Sequence, residues 1–274
     1  MSFADVRSSD HRRIVQCVLD MDMAGSLEET AEVLVQTAMD LVPCDHAGYS
    51  EIDLYFGRTK LYSSEPEVEQ WVERRASVWA HFMPDHPVLK FRNNHPDVPV
   101  VRLSDVTDLG AFYRSGLYNE LFCEVETNHQ LVIHLGFDPG EGRQSGSLPL
   151  TLGIPLNRKG RDFSDRDLQV LSLLQRMAQP ALRRRRAEHQ FRLLDSADLS
   201  PDLLRSLMAF GLSMRQAEVA FWMLKNKSNT DIGTILDIGT QTVRQHSMAI
   251  FRRLGVDGRQ TLMRSVFRAI AAVG

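Results

Sequence analysis

The stretch from Ser213 to Gly255 constrains the fold more tightly than any other part of the chain. It splits into three short helical patterns, "SMRQAEVAFWMLK", "SNTDIGTILD" and "TQTVRQHSMAIFRRLG", with almost nothing between them. Ser213 stands as N-cap of the first and Ser228 or Asn229 of the second, because a short side-chain oxygen there accepts from first-turn amides that have no helical partner. Ile238 and Gly239 make the turn before the third. Short helices with a tight turn before a basic last helix describe a helix-turn-helix unit. A fourth pattern, "DGRQTLMRSVFRAIAAVG", follows and predicts an all-α, four-helix C-terminal domain.

What the third helix faces follows from its phase. At about 100° per residue, Ser247, Ile250 and Leu254 fall within about 40° of Val243 and point inward. The opposite side carries Gln241, Arg244, Gln245, Met248 and Arg252. Arginine and glutamine are the side chains that make paired hydrogen bonds to guanine and adenine edges, and a methionine meets the thymine methyl. The helix is shaped for a major groove. Charge agrees: residues 200–274 hold ten Lys or Arg against five Asp or Glu, a net +5, while the whole chain is −3 and its remainder −8. A basic module attached to an acidic body suits a polyanion at one end and something else at the other.

These residues resemble the helix-turn-helix of LuxR/FixJ-type transcription regulators, through "SNTDIG" at 228–233, "TVRQH" at 242–246 and "RRLGVDGR" at 252–259. The resemblance covers roughly residues 212–264. It implies that Arg244, Gln245 and Met248 face base edges, and that Lys227, Asn229, Thr242, His246 and Arg253 lie along the phosphates. Gln216, Ala220, Asn226 and Met248 depart from the usual family residues. Asn226 stands where a glycine normally closes the first helix, a place that needs the left-handed conformation asparagine tolerates. One such unit reads only a few base pairs, so a homodimer on a palindromic operator with half-sites about one helical turn apart is expected. Part of the apolar stripe Leu262, Met263, Val266, Phe267 and Ile270 is expected to pair two such domains.

The rest of the chain reads as a second domain. Boundaries of 1–195 and 196–274 are expected, with "DSADLSPD", about 195–202, as the linker. Helices "RRIVQCVLDMDM" and "SLEETAEVLVQTAMDLVP" come first, the latter with Ser26 and Glu29 in capping-box spacing. Strands "HAGYSEIDLYF" and "TKLYSSE", a helix "VEQWVERRASVWAHF" with Trp71, Val78 and Phe82 on one side, and a Pro- and His-rich loop at 83–99 follow. A short strand "VVRLSDV", a helix "GAFYRSGLYNELFCEVE" and strands "HQLVIHLGFD" and "PLTLGIPLN" lead to a long closing helix from Asp162. Its stripe is Val170, Leu174, Met177, Ala181 and Leu182, with Pro180 as a kink and "RRRR" at 183–186. The order predicts α+β architecture around a mainly antiparallel sheet.

Several chemistries are absent. The Gly-rich "PGEGRQSGS" lacks the ending of a phosphate-binding loop and lies between strand patterns, so it reads as a hairpin loop. No phosphoacceptor receiver pattern is present. His81, His86 and His95 gather near Asp85 and Asp97, but without metal-ligand spacing. No catalytic residue, metal or cofactor is expected, and the chain reads as no enzyme. Cys17, Cys44 and Cys123 read as reduced core thiols; with no signal-peptide pattern or apolar run of bilayer length, a cytoplasmic protein without membrane contact is expected.

"HPVL" at 86–89, "RLSD" at 102–105, "GLYNEL" at 116–121 and "NRKGRDFSDRDLQVL" at 157–171 resemble the GAF-like N-terminal domains of one-component LuxR-type regulators. The resemblance implies a GAF/PAS-like domain, its sheet and flanking helices enclosing a pocket for a small organic effector. The lactone-binding subgroup's Trp-to-Tyr spacing is not matched, since Trp79 is followed by Phe82 and "PDHP". Tyr49, Tyr62, Trp71, Trp79, Tyr113 and Tyr118 are the aromatic candidates for its lining. Two alternatives stay open, a domain that binds a partner protein and an enzyme-like sensor with a DNA-binding tail.

Overall fold

The computed structural model describes residues 6–53, 58–95, 97–138, 150–196, 199, 204, 207, 208 and 210–263. They fall in two compact units, the first ending at Arg185 and the second beginning at Arg186. The "PGEGRQSGS" loop, much of the expected linker, and Val266, Phe267 and Ile270 lie outside the described residues.

The first unit is built on a five-stranded antiparallel sheet of order β2-β1-β5-β4-β3. Its strands are β1 His46–Asp53, β2 Arg58–Ser63, β3 Val100–Arg102, β4 His129–Asp138 and β5 Leu150–Arg158. Alternation along each strand divides the side chains between two faces. Ala47, Tyr49, Leu131, Ile133, Leu135, Leu152, Ile154 and Leu156 join one core with helices α1 Ser8–Met23, α2 Leu27–Leu41 and α8 Asp165–Ser196. Ile52 and Val132 join a second core with α3 Pro66–Arg74, α4 Ala76–Phe82, α5 Pro87–Asn94, α6 Leu103–Val106 and α7 Leu109–Tyr113, together with a π-helical turn, Tyr118–Phe122. The fold is α+β, with helices on both faces of the sheet.

Local chemistry sets the helix ends. The Ser26 hydroxyl accepts from the Glu29 amide at 3.0 Å. Ser164 and Asp167 exchange side-chain and backbone bonds at 3.3 and 2.9 Å, a reciprocal cap that starts α8. The Pro- and His-rich stretch expected as loop contains α5. Pro87 occupies its first position, where the missing N–H costs nothing, and the imidazole of His86 accepts from the Val88 amide at 3.2 Å. The helix expected over 68–82 breaks at Arg75, whose φ of −107° and ψ of 21° leave helical values. The strand expected over 100–106 ends at Arg102 and turns into α6.

Two expectations are corrected. Met177 is 37% exposed, and Ala178 takes its place in the buried stripe with Val170, Leu174, Ala181 and Leu182. Of the three cysteines only Cys17 is buried; Cys44 is half-buried and Cys123, just past the π-helical turn, is exposed.

The second unit has its own core, in which Ala217, Val219, Phe221, Leu224, Ile232, Val243, Ile250, Val256 and Leu262 meet. Three helices surround it, α9 Met214–Leu224, α10 Asn229–Leu236 and α11 Thr240–Leu254. A fourth helix begins at 259 and is described to 263.

Candidate nucleic-acid interface and ligand cavity

The angle between α10 and α11 is fixed by backbone that few residues tolerate. Ser213 and Ser228 each form a reciprocal capping box, with Gln216 and with Asp231. Two amides at each helix start are thereby satisfied, and the Ser228 bonds hold the Asp231 carboxyl below its usual range. Asn226 has φ of 56°, the left-handed cap its side chain tolerates, and Asp237 ends α10 with φ of 52°. Gly233 is required by close approach: a Cβ there would stand 2.7 Å from the carbonyl oxygen of Ile238.

This turn presents α11 with Val243, Ser247 and Ile250 buried and Leu254 packed at the edge of the core. Ser247 satisfies its hydroxyl by donating to the Val243 carbonyl at 2.9 Å. Gln241, Arg244, Gln245, Met248 and Arg252 are all exposed on the opposite side. Thr242 and His246 are half-buried on its flank; Arg253 is exposed there, its guanidinium lying so close to Gly211 that a Cβ would sit 2.8 Å from it. Lys227 is exposed before α10 and Asn229 half-buried at its start. Arg259 ties the two together, donating to the Lys227 carbonyl and, at 2.6 Å, to the Asn229 side-chain oxygen. Arg259 is a positioning residue that the phase reading missed; only its place as the last residue of "RRLGVDGR" signalled it.

In the first unit, a cavity of about 80 Å³ lies between the sheet and helices α3, α4 and α5. That is several times the roughly 10–15 Å³ that one water needs on this measure. Its floor is Gly48, Ser50, Ile52, Gln130, Val132, Gly153 and Asn157, and its roof includes Val68, Trp71, Val72, Trp79, Met83, Val88, Leu89 and Phe122. Among the described residues no Lys, Arg, Asp or Glu lines it.

The indole nitrogens of Trp71 and Trp79 are buried without a hydrogen-bond partner, their rings edge-to-face at 6.3 Å. His86 is buried among Phe112 and Phe122, and burial pulls its imidazole down to about 4, so the ring is neutral at pH 7. Because Nδ1 accepts from Val88, its proton rests on Nε2. Gln130 donates to Asn157 at 2.9 Å across the floor.

Of the expected lining aromatics, the structure places Trp71 and Trp79 on this cavity. Tyr49 and Tyr62 pair with each other, ring centroids 5.9 Å apart, on the sheet's other face. There their hydroxyls donate to Glu51 and Glu28 at 2.8 and 2.9 Å. Strand parity is the reason: Gly48 and Ser50 face the cavity, so Tyr49 between them cannot. Tyr113 and Tyr118 pack at the rim of the second core, and both hydroxyls donate to Asn128, at 3.1 and 2.7 Å. They are not among the lining residues. Among the described residues no helix is long and apolar enough to cross a membrane.

Residues 211–266 match the family described as GerE, bacterial regulatory proteins, luxR family. Among curated protein sequences none matches. Similar solved structures include the VqsR LBD domain from Pseudomonas aeruginosa, 15% identical over 66% of this chain and 98% of its own, with a TM-score of 0.49. Escherichia coli SdiA is 17% identical over 96% of this chain and 98% of its own, with a TM-score of 0.47. CepR2 from Burkholderia cenocepacia, an N-acylhomoserine lactone dependent LuxR family transcription factor, is 12% identical over 66% and 99%, with a TM-score of 0.45.

Proposed function

We propose that this chain, which carries a luxR-family helix-turn-helix over residues 211–266, is a one-component transcription regulator controlled by a small molecule in its N-terminal unit. Arg244, Gln245 and Met248 read base edges, with Gln241 and Arg252 beside them, while Lys227, Asn229, Thr242, His246 and Arg253 follow the phosphates. The chain acts as a homodimer on a palindromic operator and works in the cytoplasm. Residues 1–195 form the sensing domain and residues 196–274 the DNA-binding domain.

The observation that carries the sensor reading is the chemistry of the cavity. Trp71 and Trp79 line it, their indole N–H groups are buried without partners, and a buried donor without an acceptor costs about 1–3 kcal/mol. A guest that accepts from them recovers that cost. The absence of charged lining residues selects an uncharged guest, since an ion buried without a partner is expensive. The effector is therefore a neutral, mostly apolar organic molecule bearing a hydrogen-bond acceptor such as a carbonyl. Coupling to DNA requires that it bind one conformational state better than the other.

Native mass spectrometry of freshly purified protein, followed by DNA titration with the released compound, tests this. The expected result is a retained neutral molecule that changes operator affinity. Trp71→Phe, which keeps a ring but loses the N–H, should weaken its binding by roughly 2–15-fold, the worth of one net hydrogen bond. Operator affinity that responds to no small molecule, and only to a second protein, overturns the reading.

A further inference from the structure

The exposed apolar side chains of the first unit are not scattered. Val15, Leu19 and Met23 on α1 are 48%, 53% and 86% exposed. At about 100° per residue they lie within about 80° of one another, a continuous stripe opposite the buried Ile14, Cys17 and Met21. Arg13 donates to the Asp40 carbonyl at 2.7 Å, which places α2 along one side of α1. Arg166 pairs with Asp10 at 2.6 Å and Arg184 pairs with Asp22, which places α8 along the other. On α8, Met177 shares a face with Arg166 and Arg184 to within about 20°. Its exposed side chain therefore extends the α1 stripe on the α8 side, midway between the two ion pairs. Four apolar side chains form one ridge with no core beneath its outer surface.

Charge along α1 is divided end to end. Its N-terminal half exposes His11, Arg12 and Arg13, and its C-terminal half exposes Asp20 and Asp22. Turned about a two-fold axis at the level of Cys17, a second α1 brings Leu19 over Val15 and Arg12 to the height of Asp22. A parallel approach instead sets like charge on like. A patch that complements itself when one copy runs antiparallel to the other meets what an isologous dimer contact needs.

We propose that the α1–α8 ridge is where a second copy of this chain docks, antiparallel through Val15, Leu19, Met23 and Met177, with Arg12 of each copy facing Asp22 of the other. This rests on the homodimer reading and assigns its surface to the N-terminal unit.

Sedimentation velocity of the full chain over a dilution series tests it, with Leu19→Glu, Arg12→Glu and a control, Ile235→Glu, at an exposed apolar position on α10. All three sites face solvent, so circular dichroism melts should show native folding. The expected result is a dimer whose dissociation constant rises at least tenfold in Leu19→Glu and stays unchanged in the control. In Arg12→Glu it rises and loses its dependence on salt. A dimer indifferent to both α1 variants overturns the surface and leaves the homodimer standing. A chain that is monomeric at every concentration, and on operator DNA, overturns both.

Discussion

Arg244 and Lys227 each carry one exposed positive charge on the same small domain, yet they should fail differently. Arg244 projects from the groove face of α11, where a guanidinium can grip a guanine edge. Arg244→Ala should cost about 1–3 kcal/mol on the operator and relax preference at one base pair. Lys227 precedes α10, where the proposed docking gives its ammonium only phosphate to meet. Lys227→Ala should weaken operator and random DNA alike and lower the salt slope by about one. Titrations on both duplexes at several salt concentrations separate the roles; equal losses on both for Arg244→Ala would show that it does not read sequence. The exposed side of α11 was legible because helical period alone sorts exposed from buried on a single amphipathic helix. The cavity lining was not legible in the same way. Counting aromatics groups Tyr49 with Trp79, but one residue of strand register sends Tyr49 to the opposite face. Trp71 and Trp79 were counted with the rest, but nothing local distinguished an aromatic under a void from one in a filled core.

At the scale of elements, two glycines of the DNA-binding unit look interchangeable in sequence and are not. Gly233 has an ordinary φ, but the Ile238 carbonyl occupies the space a Cβ needs, 2.7 Å away. Gly233→Ala must push α10 from the turn, with an expected cost of about 1–3 kcal/mol, the usual range for overpacking a tight site, and a loss of operator affinity. Gly239 has φ of −62° and its nearest neighbour at 3.7 Å. Gly239→Ala should cost less, under about 1 kcal/mol, because restriction of the unfolded chain offsets alanine's weakness at the N-cap that Gly239 holds. Urea unfolding of the two variants checks the contrast; similar losses in both would mean the close approach at Gly233 is relieved elsewhere. The helices of this unit were readable in advance, since caps, period and turn residues agree with one another. Helix α5 was not, because the prolines and histidines around it resemble loop composition. Its start depends on a pairing, His86 with the Val88 amide, that composition does not reveal.

For the molecule as a whole, acid should act through the first unit. His86 and His134 are both buried, and burial lowers their imidazoles to about 4 and about 3. Both stay neutral when folded and take up a proton near pH 6.5 when unfolded. Between those values the unfolded state binds more protons, so stability is fully present above about pH 6.5 and falls as pH drops toward the folded values. Each group contributes up to about 1.4 kcal/mol per pH unit. Urea midpoints of the full chain at pH 7 and pH 5 should differ clearly, and less so in His134→Leu; a flat profile would contradict neutral burial. The sheet order has a further consequence for how the protein is made. Strand β1 lies between β2 and β5, and its partner in β5 is distant, the Ser50 and Gly153 that bond across them being 103 positions apart. A ribosome adding roughly 5–20 residues per second leaves β1 and β2 waiting on the order of 5–20 seconds for that neighbour. During that interval the edge of β1 that β5 will cover has no partner, so association between nascent chains bears on how much of the protein reaches the folded state.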